Sequence, residues 1–486
     1  MISTEVILTN TEVILIGTDI SEIKLDIIEI KLNIIQIKSN IILITLQKNN
    51  TTNNKDFCTN IYRQTKGFNT NLKMQTKVAI IGGGAAGFFL AINLKEMLLE
   101  DGQDIDTIDI TIFERSANLL SKVIVSGGGR CNCTNTFDSV SDLRKVYPRG
   151  SMFMKKIFNT FSPKDAFDWF ERHQVSLKVE DNGRVFPKSN DSHTIVNMFL
   201  YYAQKYHIHI KTNTPINSLS GLEKFDFVAI TIGGSIANKK NNDSTENLFD
   251  DIAKISTLSS PIPSLFGFCI EDKDLRLLSG ISIDEVTIMI PKTKFKVKDS
   301  ILLTHKGLSG PCVLKLSSFA AQLLNDNNYK TELIINWINL QNEQAAERFS
   351  STIHGNENKI ITTLNPFSLP NRFWTYILTK TIPNRLNIRY KDLTKKEINL
   401  LINSLCSDKL FVSNRAMNKE EFVTCGGVDL TSINQNTMQS KTDNKVFFAG
   451  EILNADGITG GYNFQQAWST AFLASKGIFE ICKGEK

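Results

Sequence analysis

Three glycines at the spacing Gly82-x-Gly84-x-x-Gly87 mark the first place where this sequence could do chemistry. Glycines so spaced let a chain turn tightly and bring backbone N–H groups against a phosphate where a strand runs into a helix. A carboxylate, Glu114, closes the alternation IDITIF (108–113) and suits the hydroxyls of a ribose. Residues 121–135 then read SKVIVSGGGRCNCTN. Three consecutive glycines, Arg130 and the pair Cys131 and Cys133 fit a phosphate or cofactor loop, a thiol redox pair, a metal site or a sharp turn. Far downstream, KVFFAGEILNADGITGGYNFQQAW (445–468) carries an acid, Glu451, beside Gly450, and a second glycine turn ahead of Tyr462 and Asn463.

The elements that must position these residues are legible nearby. Residues 78–81 form a short apolar β run, the glycines follow at once, and 85–99 have helical composition, with Ala86 in the first turn. Strand, glycines, helix, second strand and terminal acid thus occur in the order of a dinucleotide-binding fold. The polar insertion 100–107 places Glu114 later than the usual spacing. FAD and NAD share this fingerprint. Residues 446–449 read as another apolar strand ended by Gly450 and Glu451, and 463–476 as a helix. A late strand of this kind sets a carboxylate against ribityl hydroxyls, and the helix after it aims N-terminal amides at the pyrimidine end of a flavin. A C-terminal element returning to the same ligand argues for FAD, whose length needs both ends of the domain. Between them, 225–232 read as a buried strand turned by Gly233 and Gly234.

Within 121–135, the run 123–125 is strand-like, and Gly127, Gly128 and Gly129 would let the backbone approach a cofactor. Arg130 suits a pyrophosphate or a substrate carboxylate, against the alternative of a loop salt bridge. Arg115 and Lys122 are weaker cofactor contacts of the same type, and Asn132 faces the same side. Cys131 and Cys133 lack the companions of a zinc site and the spacing of a disulfide relay, so no metal is expected. His305, in THKGLSGP, is the general acid/base candidate among the six histidines, with turn capping as its structural alternative. Tyr462 either lies near the flavin or anchors the helix start.

A chain of 486 residues with 41% hydrophobic and 22% charged residues is long enough for two or three domains. A net charge of +5, with no Lys/Arg block, argues against a nucleic-acid or membrane partner. Eight sparse cysteines fit a reducing compartment, and a cytoplasmic location is expected. Residues 1–73 differ from the rest. They repeat TEVIL and EIKL, lack an apolar run able to span a bilayer, and lack the pattern of a signal or transit peptide. They read as a low-complexity, disordered extension, the structured alternative being one amphipathic helix or short coiled coil.

Taken with VSGGGRCNCTN (125–135), NGRVFPKS (182–189), LLTHKGLSGPCVL (302–314), CGGVDL (425–430), TMQSK (437–441) and FAGEILNADGITGGYNFQQAW (448–468), the chain resembles the YhiN/BaiN/RdsA-type NAD(P)/FAD-dependent oxidoreductases, also called aminoacetone-oxidase-like flavoproteins. The resemblance covers about 77–481. It implies an α/β fold: a Rossmann-like FAD-binding domain (74–258 and 417–486) interrupted by an inserted β-barrel-like domain (259–345) and a small helical subdomain (346–416). It implies cofactor contacts at Gly82, Gly84, Ala86, Gly87, Glu114, Arg115, Lys122, Gly128, Gly129, Arg130, Cys131, Asn132, Gly233, Gly450, Glu451, Gly461, Tyr462 and Asn463. The expected activity is two-electron transfer through flavin N5, with NAD(P)H as donor and a small organic molecule as substrate. The alternatives are an oxidase acting on a small amine or amino-ketone with O2, a flavin-binding module, and an RNA-modification factor. The sequence departs from the family's pattern at 235–256, where a proline- and glycine-rich loop is replaced by polar residues. Nothing in it sets an oligomeric state.

Overall fold

The computed structural model describes residues 5–8, 13–16, 75–234, 245–416 and 423–484. The chain divides into two units, Met1–Leu72 and Lys73–Lys486. In the first, the two copies of the TEVIL repeat supply β1 (Glu5–Leu8) and β2 (Val13–Ile16), an antiparallel pair in the register Glu5↔Ile16. The helix or coiled coil expected from the EIKL echo lies outside the described residues, as does part of the divergent segment 235–256.

The second unit begins with a parallel sheet. Its strands are β3 (Thr76–Ile81), β4 (Ile108–Phe113), β8 (His209–Lys211), β9 (Phe227–Ile230) and β18 (Val446–Phe448), ordered β18-β9-β3-β4-β8. Val78, Ala79 and Ile80 of the central strand are wholly buried, as a parallel strand covered on both faces requires. The helix Ala85–Glu100 packs on the helix Tyr462–Lys483, where the Phe89 and Trp468 rings lie 5.1 Å apart. The chain runs from β3 outward to β4 and β8, then crosses back to β9 on the other side of β3. The crevice of such a sheet forms at that reversal, beyond the carboxyl ends of β3 and β9. A three-stranded sheet of β5 (Thr134–Asn135), β6 (Leu177–Val179) and β7 (Arg184–Pro187) stands beside it.

β10 (Leu258–Ser264) and β17 (Val423–Val428) pair antiparallel as a ribbon leading out of the sheet region and back. Between them β11 (Gly267–Ile270), β12 (Ser282–Met289), β13 (Lys296–Thr304), β14 (Gly307–Ser309), β15 (Thr331–Asn336) and β16 (Asp408–Ala416) close a barrel in the order β11-β14-β13-β12-β15-β16. Its interior is filled by Phe268, Ile288, Ile301, Leu303, Leu333 and Ile335, all wholly buried. The helices Asn342–Ile353, Asn371–Thr381 and Lys395–Cys406 lie between β15 and β16. The expected split into barrel (259–345) and helices (346–416) therefore differs from the structure. The final barrel strand follows the helices, since β16 pairs with both β15 and β11 and so removes the open edges.

Every neighbouring pair in the barrel is antiparallel. The start of β11, the end of β16 and the β12–β13 connection consequently share the end at which the chain crosses to the dinucleotide fold. The β13–β14 turn and the three helices occupy the other end. Among the described residues no helix is long and apolar enough to cross a membrane.

Candidate functional site

At the carboxyl end of β3, Gly82 adopts φ +114°, and a Cβ there would stand 2.6 Å from the Thr231 carbonyl oxygen. Only glycine fits such a turn. Thr231 Oγ1 donates to the Ile81 and Gly82 carbonyls at 3.0 Å, tying the end of β9 to the turn. A Cβ on Gly87 would come within 2.2 Å of the Gly82 carbonyl oxygen, so this glycine sets how closely helix and strand approach. Gly84 differs, since a Cβ on it would meet nothing within 4 Å. The helix Ala85–Glu100 starts there with no side-chain cap and no acid in its first turn. Its leading N–H groups and positive dipole end are left for an anion. Glu114 closes β4 beside them. Its carboxylate accepts from Gly83 N–H at 3.0 Å and from Ser116 N–H and Oγ at 2.9 Å. Arg115, next along, is exposed.

The C-terminal motif returns to this same turn. Gly450, at φ +80°, lies so close to the first helix that its Cβ would be 2.9 Å from that of Ala86. Glu451 accepts Lys122 Nζ at 2.5 Å on one oxygen and Thr424 N–H at 2.8 Å on the other. A Cβ on Gly234 would stand 2.7 Å from Glu451 and 2.2 Å from Thr424 Oγ1, and one on Gly233 would stand 3.6 Å from Glu451. The turns after β3, β9 and β18 thus converge, although about 370 residues separate the first motif from the last.

Residues 121–135 fold differently from the strand-like expectation. Residues 121–125 are helical, and Val125 is half exposed, because three apolar residues without period 2 continuation carry no strand register. The helix breaks at Ser126, and Gly127, Gly128 and Gly129 follow at φ +57°, +69° and +82°. Cβ positions on Gly128 and Gly129 would meet nothing within 4 Å. Arg130 takes its salt-bridge alternative, with Nη1 2.7 Å from Glu180 and the guanidinium 4.0 Å over the Phe186 ring. In the orientation its neighbours require, the Asn132 amide accepts from Gly461 N–H at 3.0 Å and donates to the Thr134 and Val185 carbonyls. That makes it a brace between two loops. Cys131 and Cys133 are wholly buried free thiols 3.9 Å apart, and burial pushes the Cys133 thiol well up, away from the reactive thiolate. No cluster of metal-ligating side chains occurs among the described residues.

The second glycine turn is equally tight. Gly461, at φ +91°, lies where a Cβ would be 2.3 Å from the Thr134 carbonyl oxygen. The helix Tyr462–Lys483 begins with no side-chain cap and no acid in its first turn, leaving a second uncapped amide end. Tyr462 is buried as an anchor. Its carbonyl accepts from Tyr147 Oη at 2.9 Å, and its ring meets Phe137 edge-on at 5.1 Å. Asn463 exchanges two 2.8 Å hydrogen bonds with the backbone of Gly457. His305 is not brought to this site. It lies exposed on the β13–β14 turn, at the barrel end away from the dinucleotide fold.

One ion pair escaped the sequence reading. The carboxylate of Asp456, wholly buried, takes Arg149 through Nε and Nη2, and Arg149 also donates to the Ser318 carbonyl at 3.0 Å. Ser264 Oγ, at the end of β10, donates to the same carboxylate at 3.3 Å. Asp456 was visible in a glycine-rich loop, whereas Arg149 carried no motif. Together they fasten the barrel's near end to the loop ahead of the C-terminal helix.

The family description "HI0933-like protein Rossmann domain" matches residues 76–241, and "HI0933-like protein barrel and H2TH domain" matches residues 262–423. Similar curated proteins include the ribosomal RNA dihydrouridine synthase of Escherichia coli (strain K12), 24% identical over 421 residues, spanning 82% of this chain and 97% of that one. The ribosomal RNA dihydrouridine synthase of Haemophilus influenzae is also 24% identical, with the same coverage. The 3-dehydro-bile acid delta(4,6)-reductase of Clostridium scindens is 22% identical over 426 residues, spanning 83% of this chain and 99% of that one. With four of the five strands of a parallel Rossmann-type sheet in the first matched region and a closed barrel carrying helices in the second, the chain belongs to the HI0933-like protein family.

Proposed function

We propose that the chain is an FAD-dependent oxidoreductase that adds two hydrogens to a carbon–carbon double bond, with NAD(P)H as the hydride donor. The observation that carries the reading is the contact of Gly450 with Ala86, which sets two uncapped helix N-termini and the acid Glu114 around one crevice. A ligand with a pyrophosphate in the middle and a ring system at one end fits that arrangement. Gly84, Gly128 and Gly129 leave open space on its rim. When bound, FAD would supply two-electron transfer at its ring. The chain's own groups do the rest. The N–H groups at Gly84–Ala86 hold the diphosphate, Glu114 accepts from the adenosine ribose, and the amides after Gly461 favour negative charge at the pyrimidine end. Glu451, held by Lys122 and Thr424, presents a carboxylate edge toward ribityl hydroxyls.

The bond type comes from the relatives. Dihydrouridine is uridine with two hydrogens added, and a delta(4,6)-reductase likewise adds hydrogen at double bonds. The expectation of no nucleic-acid partner is not supported, because two of the similar proteins are named for ribosomal RNA. An RNA base is accordingly the favoured substrate and a small conjugated ketone the second.

Anaerobic mixing of the purified yellow protein with NADPH or NADH is expected to bleach the flavin band. Protein that binds FAD yet is reduced by neither donor would leave the binding-module alternative ahead. Glu114→Ala is expected to lose most of its FAD on gel filtration, while Arg130→Ala, whose guanidinium pairs with Glu180, keeps it. Equal retention in both variants would remove the role given to Glu114.

A further inference from the structure

The β12–β13 hairpin carries lysines in a pattern that the site does not use. Residues 290–298 read IPKTKFKVK, with four lysines at alternate positions and no acid. Lys292, Lys294, Lys296 and Lys298 are exposed, while Phe295 and Val297 pack against the barrel core. Lys296 and Lys298 alternate with Val297 on β13, whereas Lys292, at φ +62°, and Lys294 stand in the turn ahead of that strand. That turn is stitched. Ile290 N–H donates to the Phe295 carbonyl at 3.1 Å, Thr293 Oγ1 to the Ile290 carbonyl at 2.8 Å, and Phe295 N–H to Thr293 Oγ1 at 3.1 Å.

Two of the hairpin's three acids are engaged, while the exposed Asp284 forms no ion pair among the described residues. Glu285 pairs with Lys298, and Asp299 with Lys315 at 2.5 Å. Among the described residues Lys292, Lys294 and Lys296 form no ion pair. Their ammonium groups, gathered at one hairpin turn, suit the charged phosphates of a nucleic-acid strand. This connection sits at the barrel end where the chain crosses to the dinucleotide fold, the end also held by Arg149 and Asp456. A strand whose base enters the crevice would run its phosphates past these lysines.

We infer that Lys292, Lys294 and Lys296 form a phosphate-contact surface for the strand of an RNA substrate. This rests on the RNA reading of the proposed function and adds where the strand is held. Backbone contacts of this type position a strand without reading its sequence, and each neutralised phosphate releases counterions.

The test uses the full flavin-loaded chain and a short 5′-labelled single-stranded oligouridylate. Replacing Lys292, Lys294 and Lys296 together with alanine is expected to weaken binding at least tenfold at moderate salt. The slope of log affinity against log salt should fall by about 2, from roughly 0.7 per contact. Bound flavin and its reduction by NADPH should not change. Restoring the three positions as arginine should restore affinity. Lys391, Lys395 and Lys396 offer a matched control, being exposed between and on the helices at the far barrel end. Their triple alanine variant should bind within about twofold of wild type. Wild-type protein that does not bind the oligomer, unchanged affinity in the hairpin variant, or a loss confined to the far-end control would each overturn the inference. A colourless protein that still loses RNA affinity with the hairpin lysines would sink the flavin reading and leave the surface standing.

Discussion

Gly87→Val is expected to purify colourless and markedly destabilised, whereas Gly84→Ala folds normally and still loses flavin. The two glycines belong to one motif, but the structure gives them different work. At Gly87 a Cβ would stand 2.2 Å from the Gly82 carbonyl oxygen and 2.9 Å from Thr231 Oγ1, the first of them backbone that cannot swing aside. The helix must then back away from β3, which costs about 1–3 kcal/mol or more in overpacking and misplaces the amide end. At Gly84 nothing lies within 4 Å, so an added methyl meets only what binds there. Thermal unfolding together with the flavin absorbance of the purified variants checks both. A Gly84→Ala protein with full flavin would place the diphosphate elsewhere.

Arg149→Met is expected to cost about 3–5 kcal/mol, as removing one partner of a buried ion pair generally does. Asp456 would then sit wholly buried, with Ser264 Oγ as its remaining side-chain donor. Burial already holds the Asp456 carboxyl above its ordinary value, with Arg149 opposing the rise. Without the guanidinium the folded chain would bind a proton that the unfolded chain releases at the same pH. Stability must fall as pH rises through the elevated carboxyl pKa and recover as pH is lowered. The variant's deficit should accordingly be smaller in mildly acidic buffer than at neutral pH, measured by urea unfolding. Asp456→Asn in the same background should recover part of the loss, since a neutral amide no longer strands a charge. A deficit that does not change with pH would show that Asp456 is not its source.

The parts of the fold that could be read from the sequence were those in which order along the chain mirrors order in space. β3, the three glycines, the helix Ala85–Glu100, β4 and Glu114 follow one another without interruption, so a local pattern was enough. The C-terminal strand and helix were readable for the same reason, and the Gly450 contact with Ala86 brings the two patterns together. Closure of the barrel was not readable. β16 comes about 70 residues after its neighbour β15, and nothing in either strand names the other. Arg130 met a comparable limit, because its partner Glu180 lies 50 residues away on a different sheet's loop. The 123–125 run was too short to show a period. The lysines at 292–298 do not read as a basic block, because Thr293, Phe295 and Val297 interrupt them, and it is the hairpin that gathers them at one turn.

β18 is the outer neighbour of β9 in the sheet, yet it is synthesised more than 200 residues later. At ordinary translation speeds of about 5–20 residues per second, β9 waits roughly 10 to 45 s on the ribosome with its outer edge bare. The intervening barrel, whose six strands close on one another, can finish meanwhile. Gly450, Glu451 and the helix Tyr462–Lys483 emerge after the barrel. The crevice is thereby completed only after the barrel has been made, and a ribosome stalled between the two would carry a nascent chain with an open sheet edge for a chaperone to guard.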